Sequence, residues 1–330
     1  MLKKMRRRLL RPWRRMRRGL LNLVHRRNLT RLPVFRQAAS IWEIRALDKL
    51  YQNSMVKGPE GRAVGGLFKA FEPDASVRTI YREVFSKERY KRGLFSQCGQ
   101  DIYLNRWFFK DHEDGVFVDV GAYDGKLGSN TWFFEKVLKW RGIAIEPNET
   151  VFADLEKNRE CRTVNGCAFS HDGTIEFLRL DCKHAREEQK QLLMPMCLSD
   201  LYGDQDHGAL MLAGIPSRMT EGGQQRIEKM RASSGFTTTT TEVPCWRVDT
   251  LLKQAGFDVV DYMSIDVEGA EYDVLMGVDF DTIHFNVIGV EVSPQFGKIY
   301  ALLTETGFEY IGQLGFDEIF VSRDMRFSWE

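Results

Sequence analysis

The pattern of hydrophobic positions predicts alternating strands and helices over residues 90–330. Short runs of β-branched and aromatic residues occur at 116–120, 142–145, 262–267 and 287–293, and each is followed by small or acidic residues and then by a segment with helical spacing. Strands that alternate with amphipathic helices are typical of an α/β domain with a mostly parallel sheet. We therefore predict an α/β fold for this part of the chain.

Shorter segments add to this outline. Apolar positions within residues 96–109 predict a helix that lays one face on the sheet. Residues 164–170 are interpreted as the exit of a third strand and residues 173–180 as an edge strand. The last apolar runs predict a terminal hairpin that turns at residues 315–316.

The first 37 residues follow a different pattern. Apolar residues recur every three or four positions among arginines, so a helix would carry a single apolar stripe, although Pro12 would interrupt it. No apolar run approaches the roughly 18 residues of a membrane span, and no apolar core of a signal peptide is present. We divide the chain into a basic segment at 1–37, a helical and linker region at 38–89 and a catalytic domain at 90–330.

The near-neutral net charge of +1 conceals a strong asymmetry. Residues 1–36 hold 14 Lys or Arg and no acid, so the remainder carries 33 basic and 46 acidic side chains, a net charge of −13. A solvated tail, a helix on an anionic membrane surface and a nucleic-acid arm all fit the basic segment. The apolar stripe favours the first two and makes nucleic acid an unlikely partner. Six cysteines without a C-x-x-C pair indicate a cytoplasmic protein, and the basic segment would place it at a membrane surface if it lies there.

The most informative chemistry lies at the ends of the first two strands. Asp119 is followed by Gly121 and Gly125, and glycines allow the backbone to approach a ligand closely. The second strand ends in Glu146 and Pro147, where a carboxylate can accept both hydroxyls of a ribose. This order of acid and glycine differs from the dinucleotide pattern G-x-G-x-x-G. It suits S-adenosylmethionine, which carries a ribose and an amino-acid tail without a pyrophosphate.

A second group of acids follows the strand at 262–267. Asp266 and Glu268 are the candidate catalytic residues, because an acid near the sulfonium methyl group of S-adenosylmethionine can position an acceptor hydroxyl or take its proton. His207 is an alternative base because its side chain titrates near neutral pH. Asp266 and Glu291 offer two oxygen ligands to a divalent ion, which is a weak indication, so we predict metal-independent activity.

Taken together, these motifs closely resemble the FkbM-type methyltransferases over roughly residues 90–325. The resemblance implies the class I fold, a seven-stranded and mostly parallel sheet with helices on both faces and an antiparallel final strand. It also implies O-methyl transfer from S-adenosylmethionine, typically to sugar or polyketide-type hydroxyls. The segments that carry it are SQxGQD (96–101), FVDVGAYDG (117–125), SNT (129–131), W-R-GIAIEPN (140–148), NR-C (158–161), VNGCAFS (164–170) and IDVEGAE (265–271).

The resemblance extends the candidate cofactor site. It adds Gln100 and Asn130, which also suit helix caps, and it places Gly166 and Cys167 beside an adenine ring. Residues 181–236 break the strand pattern, and an insertion of this length in a compact domain is usually a lid or a binding loop. We expect it to cover the acceptor, a hydroxylated small molecule or a glycan.

Two other functions remain open at this point. A catalytically silent domain of the same fold would use residues 1–36 to dock on membranes or partners. An RNA methyltransferase would use them as an arginine-rich arm, but the acidic remainder of the chain and the absence of an N/D-P-P-Y/F motif argue against it.

Overall fold

The computed structural model describes the α/β core of the chain. The basic segment 1–37, nearly all of the region 38–89 and residues 182–212 of the predicted insertion, with His207, lie outside the described residues. No described helix is long and apolar enough to span a membrane. The described residues are 88–96, 98–181, 213–221, 223–225, 227–228, 237–314 and 316–329.

The strands of this core form two sheets. They are β1 (Val116–Val120), β2 (Arg141–Ile145), β3 (Arg162–Val164), β4 (Cys167–Ala168), β5 (Gly173–Asp181), β6 (Thr237–Trp246), β7 (Val259–Ile265), β8 (His284–Glu291), β9 (Phe308–Leu314) and β10 (Asp317–Ser322).

The main sheet has seven strands in the order β3-β2-β1-β7-β8-β10-β9. Its first five strands pair in parallel, whereas β10 runs antiparallel to both β8 and β9. Strands β9 and β10 are the predicted terminal hairpin. The sheet confirms the predicted class I methyltransferase topology, in which the final strand returns antiparallel between its neighbours.

The second sheet corrects one expectation. Residues 173–180 are an edge strand as predicted, but of a separate three-stranded sheet in the order β4-β6-β5. Strand β5 pairs antiparallel with β6, and β4 pairs parallel with the end of β6 at Cys245 and Trp246. The hydrophobic pattern identifies a strand but not its partner, because β6 follows only after the insertion.

Helices cover both faces of the main sheet. They are α1 (Glu88–Lys91), α2 (Gln100–Leu104), a π-helical turn (Asn105–Phe109), α3 (Trp132–Lys136), α4 (Glu149–Asn158), α5 (Val248–Ala255), α6 (Glu271–Met276) and α7 (Phe296–Glu305). On one face, Val116, Val118 and Val120 of β1 join the apolar cluster of α5, α6 and α7. On the other face, Phe117 packs with α2, the π-helical turn and α3.

The packing of β1 fixes the orientation of the Asp119 side chain. Side chains alternate between the faces of a strand, so Asp119 shares the face of Phe117, which is fully buried. Burying one aromatic or aliphatic side chain of this size stabilises a fold by about 1.5–3 kcal/mol. The apolar contacts of β1 therefore hold Asp119 inside the protein, at the carboxyl end of the strand.

Candidate functional site

A cavity of about 310 Å³ opens at the carboxyl ends of the parallel strands. Open α/β sheets bind ligands at this edge. Its wall combines the loops after β1, β2 and β7, the end of β8 and one side of the second sheet. The lining residues are 119–123, 127–130, 145–147, 166–168, 177, 213–215, 264, 266–268, 270, 291 and 316.

Most of the candidate residues meet in this cavity. Gln100 and Gly125 do not line it, and His207 lies outside the described residues. The candidates in its wall are Asp119, Gly121, Asn130, Glu146, Pro147, Gly166, Cys167, Asp266 and Glu268.

Gly121 joins the ends of two neighbouring strands. Its φ of +83° lies in the left-handed region, and a Cβ atom there would stand 1.8 Å from the carbonyl oxygen of Asp266. The backbone N–H of Asp266 in turn donates to the carbonyl of Val120 at 2.9 Å. Gly121 is thus needed for the contact between the two loops that carry Asp119 and Asp266.

Gly125 has a different position from the one expected. Its φ is +75°, and a Cβ atom would meet Leu155 and Arg159 of the α4 region at 2.5 and 2.7 Å. Its carbonyl accepts a hydrogen bond from Nη1 of Arg159 at 3.0 Å. Gly125 therefore seats Arg159 behind the cavity rather than facing a ligand directly.

Arg159 organises the charges behind the β1 loop. Its side chain is fully buried and forms ion pairs with Glu135 and with Asp119, the latter at 3.4 Å. It also donates to the hydroxyl of Thr131 at 2.8 Å, and that hydroxyl donates to Asp119 at 2.5 Å. Burial is the largest single influence on the pKa of Glu135 and raises it. The charge of Arg159, the hydrogen bonds from Arg159 and from the N–H of Glu160, and the charge of Lys136 together outweigh burial and hold this pKa below its ordinary value. Asp119 is thus bound into a compensated network.

Glu146 is fixed by the backbone at the end of β2. Its Oε2 accepts from the N–H of Tyr123 at 3.0 Å, and its Oε1 accepts from the N–H of Asn148 at 2.8 Å. Burial raises the pKa of Glu146 to about 8, against these two hydrogen bonds, and the charges of Asp119 and Asp266 add to the rise. A rigidly held carboxyl in the cavity wall is suited to accept hydroxyl groups of a ligand.

Asn130 connects the loop after β1 to strands β7 and β10. Its amide nitrogen donates to the hydroxyl of Ser264 at 3.1 Å and to Asp317 at 3.0 Å. Gln100 donates to the same oxygen of Asp317 at 2.7 Å, which accounts for its buried position. Burial raises the pKa of Asp317 to about 7. The Oδ1 atom of Asn130 is buried and accepts no hydrogen bond from the residues that the structure describes.

Asp266 and Glu291 face each other across the ends of β7 and β8. The preceding residues of the two strands, Ile265 and Val290, are register partners. Burial raises the pKa of both carboxyls above the ordinary values, and the charge of Asp266 raises the pKa of Glu291 further. A hydrogen bond between the two carboxyls keeps the proton on Glu291 and works against the rise at Asp266. Glu268 follows with a left-handed φ of +56°.

One wall of the cavity is apolar and comes from the second sheet. Cys167, Phe177 and Ile215 belong to one buried cluster, and all three line the cavity. The segment at 213–215 is held to β5 by a pair of backbone hydrogen bonds between Leu178 and Gly214, each 2.9 Å long. This described part of the predicted insertion lies at the cavity, whereas residues 182–212 are outside the described residues.

The electrostatic character of the cavity is one-sided. Asp119, Glu146, Asp266, Glu268 and Glu291 line it, and the described lining includes no Lys, Arg or His. Such a wall attracts cationic ligands and disfavours phosphates.

Three contributors to the site were not identified from the sequence. Arg159 belongs to the NR-C motif, which was quoted without a role, and it pairs with Asp119 only in the fold. Phe177, which lines the cavity, and Asp317, which accepts hydrogen bonds from Asn130 and Gln100, had no signal of their own, because strands from other parts of the chain bring them into place.

The fold and the site together define a class I methyltransferase domain, with its ligand cavity at the carboxyl ends of β1, β2 and β7. The family model described as the methyltransferase FkbM domain matches residues 119–310, more than half of the chain. The chain belongs to this family.

Comparison with solved structures gives one distant neighbour. It is the crystal structure of methyltransferase FkbM from Methylobacillus flagellatus KT, at 12% sequence identity and a TM-score of 0.35. The match covers 84% of this chain and 58% of that chain, so this chain spans less than two thirds of the neighbour's length. A search of curated proteins found no match.

Proposed function

We propose that the protein is an S-adenosylmethionine-dependent O-methyltransferase that acts on a hydroxyl of a sugar, a glycan or another small molecule. The observation that carries the proposal is the position of Glu146, which lines the cavity and is held at both oxygens by backbone N–H groups. A carboxylate fixed in this way can accept the two hydroxyls of a ribose. Membership of the FkbM family supports the reaction class.

The shape of the wall supports an adenosine ligand. Gly166 and Cys167 lie next to Glu146 in the wall, and Phe177 and Ile215 form its apolar side. A Cβ atom at Gly166 would stand 2.4 Å from the ring of Trp246, so the glycine allows β6 to close against this loop. Small and apolar residues at this point leave a slot suited to a flat ring such as adenine.

The charges of the wall support the rest of the cofactor. S-adenosylmethionine, when bound, supplies a methyl group on a positively charged sulfur and also carries an ammonium group. The acidic wall without a described Lys, Arg or His matches two cationic groups. A pyrophosphate would instead face several carboxylates, which argues against a dinucleotide.

Asp266 is the residue we assign to the acceptor hydroxyl. It lies in the same wall as Glu146 and follows β7, which is separated from β2 by β1 in the sheet. An elevated pKa brings a carboxyl closer to neutral pH, where it can accept a proton from the hydroxyl as that oxygen is methylated. Alignment of the hydroxyl with the methyl group contributes much of the rate in a displacement of this kind.

Calorimetric titration of the full-length protein with S-adenosylmethionine and S-adenosylhomocysteine tests the proposal. At pH 9, where the carboxyl of Glu146 is largely ionised, we expect one site per chain, with an affinity at least ~10-fold weaker in Glu146→Gln, because the charged ribose acceptor is lost. Glu149→Gln is the matched control, since Glu149 is an exposed acid of α4 whose ion pair with Arg179 lies away from the lining. Failure of the folded wild-type protein to bind either compound would refute the proposal and favour a silent docking module.

A binding result would justify a search for the acceptor. Transfer of a labelled methyl group to a panel of hydroxylated sugars, glycans and lipids then tests the second half of the proposal. Product that forms only with amine acceptors would contradict the assignment to O-methylation.

A further inference from the structure

The cavity contains a group of carboxylates whose spacing suits a metal ion. Asp266, Glu268 and Glu291 each place one oxygen within 4.8 Å of the other two. Ca²⁺ binds oxygen at 2.3–2.6 Å and Mg²⁺ at 2.0–2.1 Å. Three oxygens no more than 4.8 Å from one another lie at most about 2.8 Å from a common centre. They therefore fit around Ca²⁺ with shifts of a few tenths of an ångström, and around Mg²⁺ with shifts of up to about 0.8 Å.

A second observation points to a ligand at the same place. Asn130 is only 9% exposed, lines the cavity, and has a buried Oδ1 atom that no described residue hydrogen-bonds. Its amide nitrogen donates to Ser264, two residues before Asp266, and to Asp317, the register partner of Glu291. The amide is thus anchored to β7, which precedes Asp266, and to β10, which pairs with β8 at Glu291. An unpartnered carbonyl oxygen is a ligand that hard cations accept.

Glu271 adds negative charge behind this group. It is 1% exposed, and its Oε1 accepts the N–H of Gly269 at 2.7 Å. Its Oε2 is buried and has no hydrogen-bond partner within the described part of the chain. A buried carboxylate oxygen in this state is unfavourable unless a cation or a donor lies nearby.

We propose that Asp266, Glu268 and Glu291, with Oδ1 of Asn130, form a binding site for one divalent cation of the Mg²⁺, Mn²⁺ or Ca²⁺ type. Four protein oxygens leave two or more coordination positions for water or for a hydroxyl of the acceptor. This last role rests on the proposed function, whereas the binding of the cation does not. The sequence alone predicted metal-independent activity because it offered only Asp266 and Glu291 as ligands.

Titration of the full-length, chelator-treated protein with Mn²⁺, followed by calorimetry and by the electron paramagnetic resonance signal of free Mn²⁺, tests the site. We expect one Mn²⁺ per chain, competed by Mg²⁺ or Ca²⁺. Glu291→Gln keeps the shape of the side chain and removes its charge, so it should weaken Mn²⁺ binding at least ~10-fold. Glu305→Gln, at an exposed acid in α7, should bind as the wild type does.

Thermal unfolding of each variant shows whether it is folded, and Glu268→Gln gives a second removal of charge at the same site. Absence of Mn²⁺ binding by the folded wild type, or equal binding by both variants and the wild type, would overturn the proposal. Repeating the titration with S-adenosylmethionine separates the two proposals. Cofactor binding without Mn²⁺ binding would leave the proposed function intact and remove only the metal site.

Discussion

Two acids at neighbouring strand ends have opposite surroundings. Asp119 ends β1 beside the buried guanidinium of Arg159, whereas Asp266 follows β7 and faces the carboxyl of Glu291. The first acid is compensated within the protein. The second lies among like charges, an arrangement that is unfavourable until a cation or a proton joins it.

From this difference we propose a structural role for Asp119 and a functional role for Asp266. Breaking a buried pair is costly because one charge is left alone, so the network of Asp119 and Arg159 maintains the shape of the β1 loop. Groups held in unfavourable electrostatic surroundings cluster at functional sites. We therefore expect substitutions at Asp119 to affect mainly folding and substitutions at Asp266 to affect mainly binding and turnover.

The largest expected effect is the loss of stability when Asp119 and Glu135 lose their ion pairs with Arg159. Arg159→Met keeps most of the aliphatic volume but leaves Asp119 and Glu135 without their buried cation, so the free energy of unfolding should fall by about 3–5 kcal/mol. Urea denaturation measures this loss. Lys157→Met is the control, because Lys157 pairs with Asp154 on the exposed side of α4 and should change stability by less than about 1 kcal/mol. Equal losses in both variants would show that the Arg159 network does not stabilise the fold.

The next effect concerns the contact that joins the two acids. Gly121→Ala places a methyl group against the carbonyl of Asp266 in a left-handed backbone conformation, and we expect a loss of roughly 3 kcal/mol together with weaker cofactor binding. Gly297→Ala is the control, since a Cβ atom there meets nothing within 4 Å. That helical position should gain about 0.4–1 kcal/mol. Unchanged stability in Gly121→Ala would contradict the close approach of the two loops.

The direct comparison uses the same substitution at both acids. Asp119→Asn should lower the free energy of unfolding by roughly 2 kcal/mol, less than the loss of Arg159, because Glu135 still pairs with the guanidinium. Asp266→Asn removes a like charge next to Glu291 and should leave stability unchanged or slightly higher. Denaturation curves of the two variants measure the difference. A larger destabilisation in Asp266→Asn than in Asp119→Asn would contradict the structural role assigned to Asp119 and the functional role assigned to Asp266.

The smallest effect is a pH dependence at Glu146. Its pKa is raised to about 8, so the ionised fraction rises from about one tenth at pH 7 to about nine tenths at pH 9. If the ionised carboxylate binds the ribose, the affinity for S-adenosylmethionine should rise about tenfold over this range. Calorimetry at several pH values measures it. Glu146→Gln serves as the control, because titration of the ligand itself is common to both proteins.

The raised pKa of Glu146 also makes the stability of the protein depend on pH. Because the folded-state pKa lies above the ordinary value of 4.5, the folded protein binds more protons than the unfolded chain between pH 4.5 and about 8. The contribution of Glu146 to stability is therefore complete below pH 4.5 and is lost as the pH rises through 8. Wild-type protein should become less stable relative to Glu146→Gln over this window. A constant difference would show that Glu146 titrates normally.

Much of the fold and part of the site followed from local sequence patterns. The strands that end at Asp119, Glu146 and Asp266 were recognised because each is a compact apolar run followed by an acid, and parallel strands bring such ends to one edge. The terminal hairpin followed from two short runs with a turn between them. Gly121 was recognised as a point of close backbone approach, although in the structure the approach is to the carbonyl of Asp266.

The partners of these acids depend on contacts between distant parts of the chain. Asp119 is paired with Arg159 from the end of α4, and this pairing has no local signal. The proximity of Asp266 and Glu291 was expected from the sequence, because each acid stands at the end of an apolar strand, but the proton that they share was not. Likewise, β5 pairs with β6 across the insertion, which no strand pattern can indicate. The sequence by itself determined which segments become strands and which acids stand at their ends, because these depend on neighbouring residues. Only the tertiary structure decided which acid is neutralised and which is left among like charges, because charge compensation depends on side chains that packing brings together.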